Sequence, residues 1–286
     1  MAMTAPTPAA SSRCIQAHGL DLHLDPLDSL GLLGGQPFEP ELAAALQRCV
    51  LPGQTVVDVG ANIGYFSLLL AQLVGPAGHV HAIEPAPANF DLLQRNVRVN
   101  CLQQVQLHQL ALGEQTGVAQ LHLSTYNHGM HRLYPSVCND GATLPVPVQR
   151  LDQLLPKAGV DAIKIDVEGY ELPALLGAEQ LLRANPAIKI FSEYCPPAML
   201  EAGLQPAHFL SYLQALGFAP HTLDGQAVSW DELWADAQCY VRAGREAFVQ
   251  ATAGKTNPEI LEAVQRLAQR AGCHRPVIEN LLFFRL

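Results

Sequence analysis

The sequence is poor in charge, and poorest in positive charge. Charged residues make up 15% of the 286, and 17 Lys and Arg stand against 26 Asp and Glu, a formal net charge of −9. A phosphate backbone or an anionic bilayer is repelled on average by such a chain, so neither nucleic acid nor membrane is an expected partner. No apolar run reaches the roughly 18 to 20 residues of a spanning helix, and the N-terminus lacks the basic flank and long apolar stretch of a secretion signal. A cytoplasmic location is the expectation. Seven cysteines (Cys14, Cys49, Cys101, Cys138, Cys195, Cys239 and Cys273) lie far apart without a CxxC pair, which points to reduced, mostly buried thiols.

Apolar residues are abundant. Hydrophobic side chains form 49% of the chain, enough for one large α/β domain with added elements, because a chain of this length buries roughly 75% of its unfolded surface. Residues 1–12 are small and aperiodic and read as a flexible tail. Residues 13–53 carry short apolar runs, then a short helix with Leu42, Leu46 and Val50 on one face, and read as a lid-like N-terminal extension.

Residues 54–243 alternate strand and helix, with strands expected at 55–59, 79–83, 105–108, 162–167 and 188–194 and helices at 65–74, 89–99, 172–182 and 206–216. That alternation predicts an α/β fold, a parallel sheet wrapped by helices. Antiparallel strands at 118–123 and 144–148 flank a polar loop, and a late strand is expected at 238–242. Residues 244–286 read as a C-terminal helical extension in which Asn257 and Pro258 open a helix with an apolar stripe from Ile260 to Ala271. The stripe suits core packing, a lid or a homodimer contact.

The run VVDVGANIGYFS, Val56 to Ser67, puts a buried strand, a glycine turn and a helix start in succession, which presents backbone N–H groups to a ligand. Gly60-x-Asn62-x-Gly64 lacks the middle glycine of a dinucleotide GxGxxG loop, which disfavours a nicotinamide-dependent oxidoreductase. Asn62 tolerates the left-handed backbone better than most residues. Glu84, ending the second strand, suits the two ribose hydroxyls of an adenosine cofactor, or stands as a solvated strand-end acid. Asn89 reads as a helix cap. The run AIKIDVEGYE ends an apolar strand in Asp166 and Glu168, and alternation puts Lys164 and Asp166 on one side. Either a Lys164–Asp166 ion pair closes this strand or its acids belong to a site at the sheet's carboxyl edge.

Together VDVGANIGYFS, AIEPAPANF, the Ala111-Leu112-Gly113-Glu114 turn, VQRLDQLL and IKIDVEGYELPALLGAEQLL resemble the FkbM family of methyltransferases, in the family's order, from about Pro37 to Phe218. The resemblance implies a Rossmann-like class I methyltransferase sheet with N-terminal and C-terminal additions, and S-adenosyl-L-methionine as cofactor. It implies cofactor contacts at Asp58, Gly60, Asn62, Gly64 and Glu84, with the adenine edge met at Ala111 and Leu112. Asp166, Glu168 and Glu193 then border methyl transfer to a small polar acceptor, chiefly a hydroxyl of a sugar or natural product, with an amine acceptor as the alternative.

In such a site Asp166 or Glu168 is expected to orient or deprotonate the acceptor while Glu193 holds it from the adjacent strand. The loop from Tyr126 to Arg132 sits where an acceptor would enter, making Asn127 and His131 candidate substrate contacts; surface histidines in a flexible loop are the plainer reading. His122, His128 and His131 lack tight ligand spacing, and no metal is expected.

Overall fold

The computed structural model describes residues 13–139, 141–156, 159–244 and 279–285, with single or paired residues between 262 and 275. The tail at 1–12 lies outside these residues, and the helix expected at 260–271 lies largely outside them.

A hairpin of β1 (Cys14–Ala17) and β2 (Leu20–His23) leads to helix α1 (Pro40–Cys49). There follow β3 (Thr55–Val59), α2 (Tyr65–Val74), β4 (His79–Ile83), α3 (Pro87–Val99) and β5 (Val105–His108). The short β6 (Ala111–Leu112), β7 (Gly117–His122) and β8 (Thr143–Gln149) make a separate three-stranded sheet. Next come α4 (Leu151–Leu154), β9 (Ala162–Ile165), α5 (Glu171–Leu176), α6 (Glu179–Ala184), β10 (Lys189–Tyr194) and α7 (Pro196–Glu201). Finally α8 (Pro206–Ala215), β11 (Ala219–His221) and α9 (Trp230–Ala243) precede β12 (Glu279–Phe284).

The main sheet has seven strands in the order β11-β12-β10-β9-β3-β4-β5. Its strands are parallel except β12, which runs antiparallel to both neighbours. Helices cover both faces, so the central strands are buried on both sides and their sequences are nearly continuous apolar runs. Along β3, Val56 packs with Leu46 and Leu68 beneath α1 and α2, while Val57 joins Leu175, Leu182 and Phe209 on the opposite face. Strand order reverses between β3 and β9, and the crevice at the carboxyl ends of those strands is where such sheets bind ligands.

Three expectations differ from the structure. Residues 238–242 are helical, because Leu233, Ala237 and Tyr240 recur at helical spacing and bury one face of α9. The helix expected at 172–182 is two helices, broken at Gly177, where a Cβ would lie 2.2 Å from the Gly113 carbonyl oxygen. Residues 279–284, placed in a C-terminal helical extension, form β12 of the main sheet, inserted between β11 and β10 with Leu281 and Phe283 wholly buried. A short apolar run such as 281–284 carries no label of its partner strands. All seven cysteines are free, and no helix among the described residues is long and apolar enough to cross a membrane.

Candidate active site

After β3 the backbone turns through Gly60 (φ 76), Asn62 (φ 50) and Gly64 (φ 96). A Cβ on Gly60 would lie 1.9 Å from the Asp166 carbonyl oxygen, so close approach and left-handed backbone both demand glycine there. The N–H groups of Gly60 and Ala61 donate to the Ile83 carbonyl at 3.0 Å each, and that of Asn62 donates to Glu84 Oε2 at 2.9 Å. Glu84 Oε1 accepts from the Ala86 N–H at 2.9 Å. Glu84 thus ties the glycine turn to the end of β4, and burial pushes its carboxyl up to about 7 against the pull of those two N–H groups.

Asp58 lies beneath this turn. It is wholly buried, accepts from Ser67 Oγ at 2.6 Å, and has Lys164 Nζ 3.5 Å away. Lys164 Nζ also lies 3.6 Å from Asp166, donates to the Gly60 carbonyl at 3.3 Å, and sits over the Phe66 ring. A cavity of about 470 Å³ opens above, and Gly60, Asn62, Glu84, Ala111 and Leu112 line it. Asp58 and Gly64 stand behind that wall, Gly64 packed against Leu93.

The three acids that the sequence singled out line the same cavity. Asp166 has Lys164 as its partner. Glu168, in the left-handed region at φ 58, pairs with Arg132 at 2.8 Å, and Arg132 reaches Glu201 at 2.8 Å with its other nitrogen. Glu193 is different: it is 9% exposed and has no side-chain hydrogen bond or ion pair among the described residues. Burial pushes its carboxyl well above the usual range, and Asp166, Glu168, Glu171 and Glu39 push it further.

The roof comes from two loops. Asn127 Oδ1 accepts from the Gly129 N–H at 2.7 Å, and His131 Nδ1 accepts from the Ser124 N–H at 3.1 Å; both residues line the cavity. The His128 N–H donates to Ser29 Oγ at 2.8 Å, so the loop after β7 meets the segment after β2. Asn89 is not a cap. The residue before α3 is Ala86, and Asn89 is buried with its Nδ2 donating to the His128 carbonyl at 2.9 Å. The side-chain oxygens of Asn62 and Asn89 are buried without a partner.

Sequence reasoning missed Glu39 and the bridging part of Arg132. Glu39 precedes Pro40 and resembles an ordinary helix start, with only its left-handed φ of 42, visible in the structure, setting it apart. Arg132 sits in a polar loop with no local pattern to mark it. Among the described residues, no group of three or more His, Cys, Asp or Glu side chains is placed to hold a metal ion.

Residues 58–220 match the model of the methyltransferase FkbM domain. Relatives include the 31-O-demethyl-FK506 methyltransferase FkbM of Streptomyces tacrolimicus, 32% identical over 160 residues covering 45% of this chain and 60% of that one. Methyltransferase 1 of Beauveria bassiana is 30% identical over 145 residues, covering 43% and 58%. The chain thus spans about 60% of the length of these curated relatives. A solved structure of methyltransferase FkbM from Methylobacillus flagellatus aligns with a TM-score of 0.40 at 22% identity, covering 55% of this chain and 37% of that one. With more than half its length matched by the domain, from the Asp58 turn to the strand after α8, the chain belongs to the FkbM methyltransferase family.

Proposed function

We propose that the chain is an S-adenosylmethionine-dependent methyltransferase acting on a hydroxyl oxygen of a small polar acceptor, such as a sugar or natural product. Family membership supports the reaction. The Streptomyces relative is named for 31-O-demethyl-FK506, which supports an oxygen acceptor.

The residues present fit the cofactor. The carrying observation is the Glu84 carboxylate, locked against the glycine turn at the cavity wall. Each of its oxygens takes one N–H and keeps a lone pair, so two ribose hydroxyls can still donate to it. Gly60 leaves no room for a side chain where the turn passes Asp166. Two buried amide oxygens, on Asn62 and Asn89, await donors. The cavity's volume lies in the range of small-ligand sites. These residues, with Ala111 and Leu112, would hold the cofactor, whereas Asp58 and Gly64 support the turn from behind.

When bound, the cofactor supplies an electrophilic methyl group on sulfur. The protein's work is to align the acceptor and remove its proton. Asp166 has Lys164 as its partner, and Glu168 has Arg132. Glu193 is the unpaired acid of the three, and it takes the acceptor's proton; Asp166 and Glu168 orient the acceptor, with Asn127 and His131 meeting it from the roof. Calorimetry with S-adenosylhomocysteine and NAD, followed by labelled methyl transfer to a panel of sugars and hydroxylated natural products, tests this. Binding of the first ligand alone is expected, as is loss of transfer in Glu193→Gln at unchanged cofactor affinity. Full transfer in that variant, or NAD binding, defeats the reading.

A further inference from the structure

One carboxylate of the cavity wall, Glu193, remains when the cations near it are assigned. Lys164 serves Asp58 and Asp166, and Arg132 serves Glu168 and Glu201. Glu84 and Glu171 are each held by two backbone N–H groups. Glu193 lines the cavity, 9% exposed and without a hydrogen-bond or ion-pair partner among the described residues. Glu39 approaches from α1, with Oε2 buried and unpartnered. Its carboxyl faces Asp166, Lys164 and Glu168, with the Asn280 side chain near it. Asn280 is also the register partner of Glu193 across β10 and β12. Glu39 and Asn280 both lie outside the family-matched residues 58–220.

A buried carboxylate without a cation is costly, and it lowers that cost by keeping its proton. Burial and then Asp166 push Glu39 up to about 7, with Lys164 and Asn280 pulling the other way. Glu193 faces Asp166, Glu168, Glu171 and Glu39, with the Cys195 thiol beside it, and in the ligand-free cavity its neutral form is favoured.

Building on the cofactor reading above, we propose that Glu193, with Glu39 among the acids that face it, holds a proton in the ligand-free protein and loses it when the sulfonium of S-adenosylmethionine enters the cavity. The Glu193 O–H bond breaks, the proton passes to solvent, and the carboxylate keeps the electron pair, so nothing is oxidised or reduced. Cation binding thereby creates the base. S-adenosylhomocysteine, uncharged at sulfur, leaves the proton in place, and the site is a base only while the methyl donor is present.

Titration calorimetry at pH 6.5 in two buffers of different ionisation enthalpy counts the protons exchanged by each ligand. S-adenosylmethionine is expected to release more than S-adenosylhomocysteine, by about half a proton or more. In Glu193→Gln both ligands still bind and the difference collapses to whatever their own amino groups exchange. Glu39→Gln shrinks the difference; Glu39→Asn, which tolerates the left-handed backbone, repeats that result if the first variant is unfolded. Equal counts for the two ligands, or a difference undiminished in Glu193→Gln, overturn the inference alone. An undiminished difference in both Glu39 variants overturns the part given to Glu39. Failure of both ligands to bind overturns the cofactor reading, and this inference with it.

Discussion

Lys164 and Asp58 face each other across 3.5 Å beneath the glycine turn, their side chains 4% and 0% exposed. Neighbouring strands in register bring them together: Asp58 of β3 is the Cα partner of Lys164 of β9. Burial works against the ammonium, but Asp58, Asp166 and Glu39 outweigh it and hold Lys164 protonated. The same ammonium fixes the Gly60 carbonyl. The pair therefore shapes the glycine turn from below.

Lys164→Met leaves Asp58 buried with Ser67 as its remaining hydrogen-bond partner among the described residues. Loss of one member of a buried pair costs about 3–5 kcal/mol, so the urea midpoint is expected to fall steeply. Adding Asp58→Asn should recover part of the loss, and an unchanged midpoint in the single variant would contradict a structural part for the pair.

Gly60→Ala puts a methyl group against the Asp166 carbonyl, at a site whose φ is 76. Left-handed strain of about 1–2 kcal/mol adds to about 1–3 for overpacking. Thermal denaturation should show the lost stability, and calorimetry should show S-adenosylhomocysteine affinity falling with it.

Glu84 has a distinct pH signature. Its carboxyl stands at about 7 when folded, against an ordinary 4.5. A raised folded pKa means that the folded state binds the proton more tightly. The stability this gives is full below about 4.5 and is lost as pH rises through 7. Glu84→Gln does not titrate, so wild-type stability minus variant stability should fall by roughly 3 kcal/mol from pH 4 to pH 8. Unfolding free energies at the two pH values measure it, and a difference that rises with pH contradicts it.

Phe283 is wholly buried in β12, where it packs on Phe209 and Trp230. Phe283→Ala should cost about 3–5 kcal/mol. Removing residues 279–286 should abolish the folded protein, because β10 and β11 are then left without the strand between them. Circular dichroism and solubility report both; a folded, soluble truncation would make β12 an accessory.

The glycine turn at the cavity wall was legible because its geometry is local. Twelve contiguous residues, Val56 to Ser67, hold a strand, a turn and a helix start, and local backbone preference alone places Gly60 and Asn62 in the turn. The Asp166 and Glu168 block was visible for a similar reason, as charge interrupting an apolar strand. Asp58 reads like a cofactor acid by its position beside the loop, yet pleating turns it down toward Lys164 and Ser67. Asn89 sits one turn into its helix like a cap, yet its amide holds the roof loop.

Pattern and spacing in the chain determine the α/β alternation, the glycine turn and the acids at the strand ends, since each depends on residues only a few positions apart. Tertiary structure alone decides that β12 enters between β10 and β11, that Arg132 bridges Glu168 and Glu201, and that Glu39 and Asn280 converge beside Glu193. Those contacts join segments far apart in sequence. Which carboxylate keeps a cation and which is left alone follows from strand order and burial, and neither quantity is carried by any single stretch of residues.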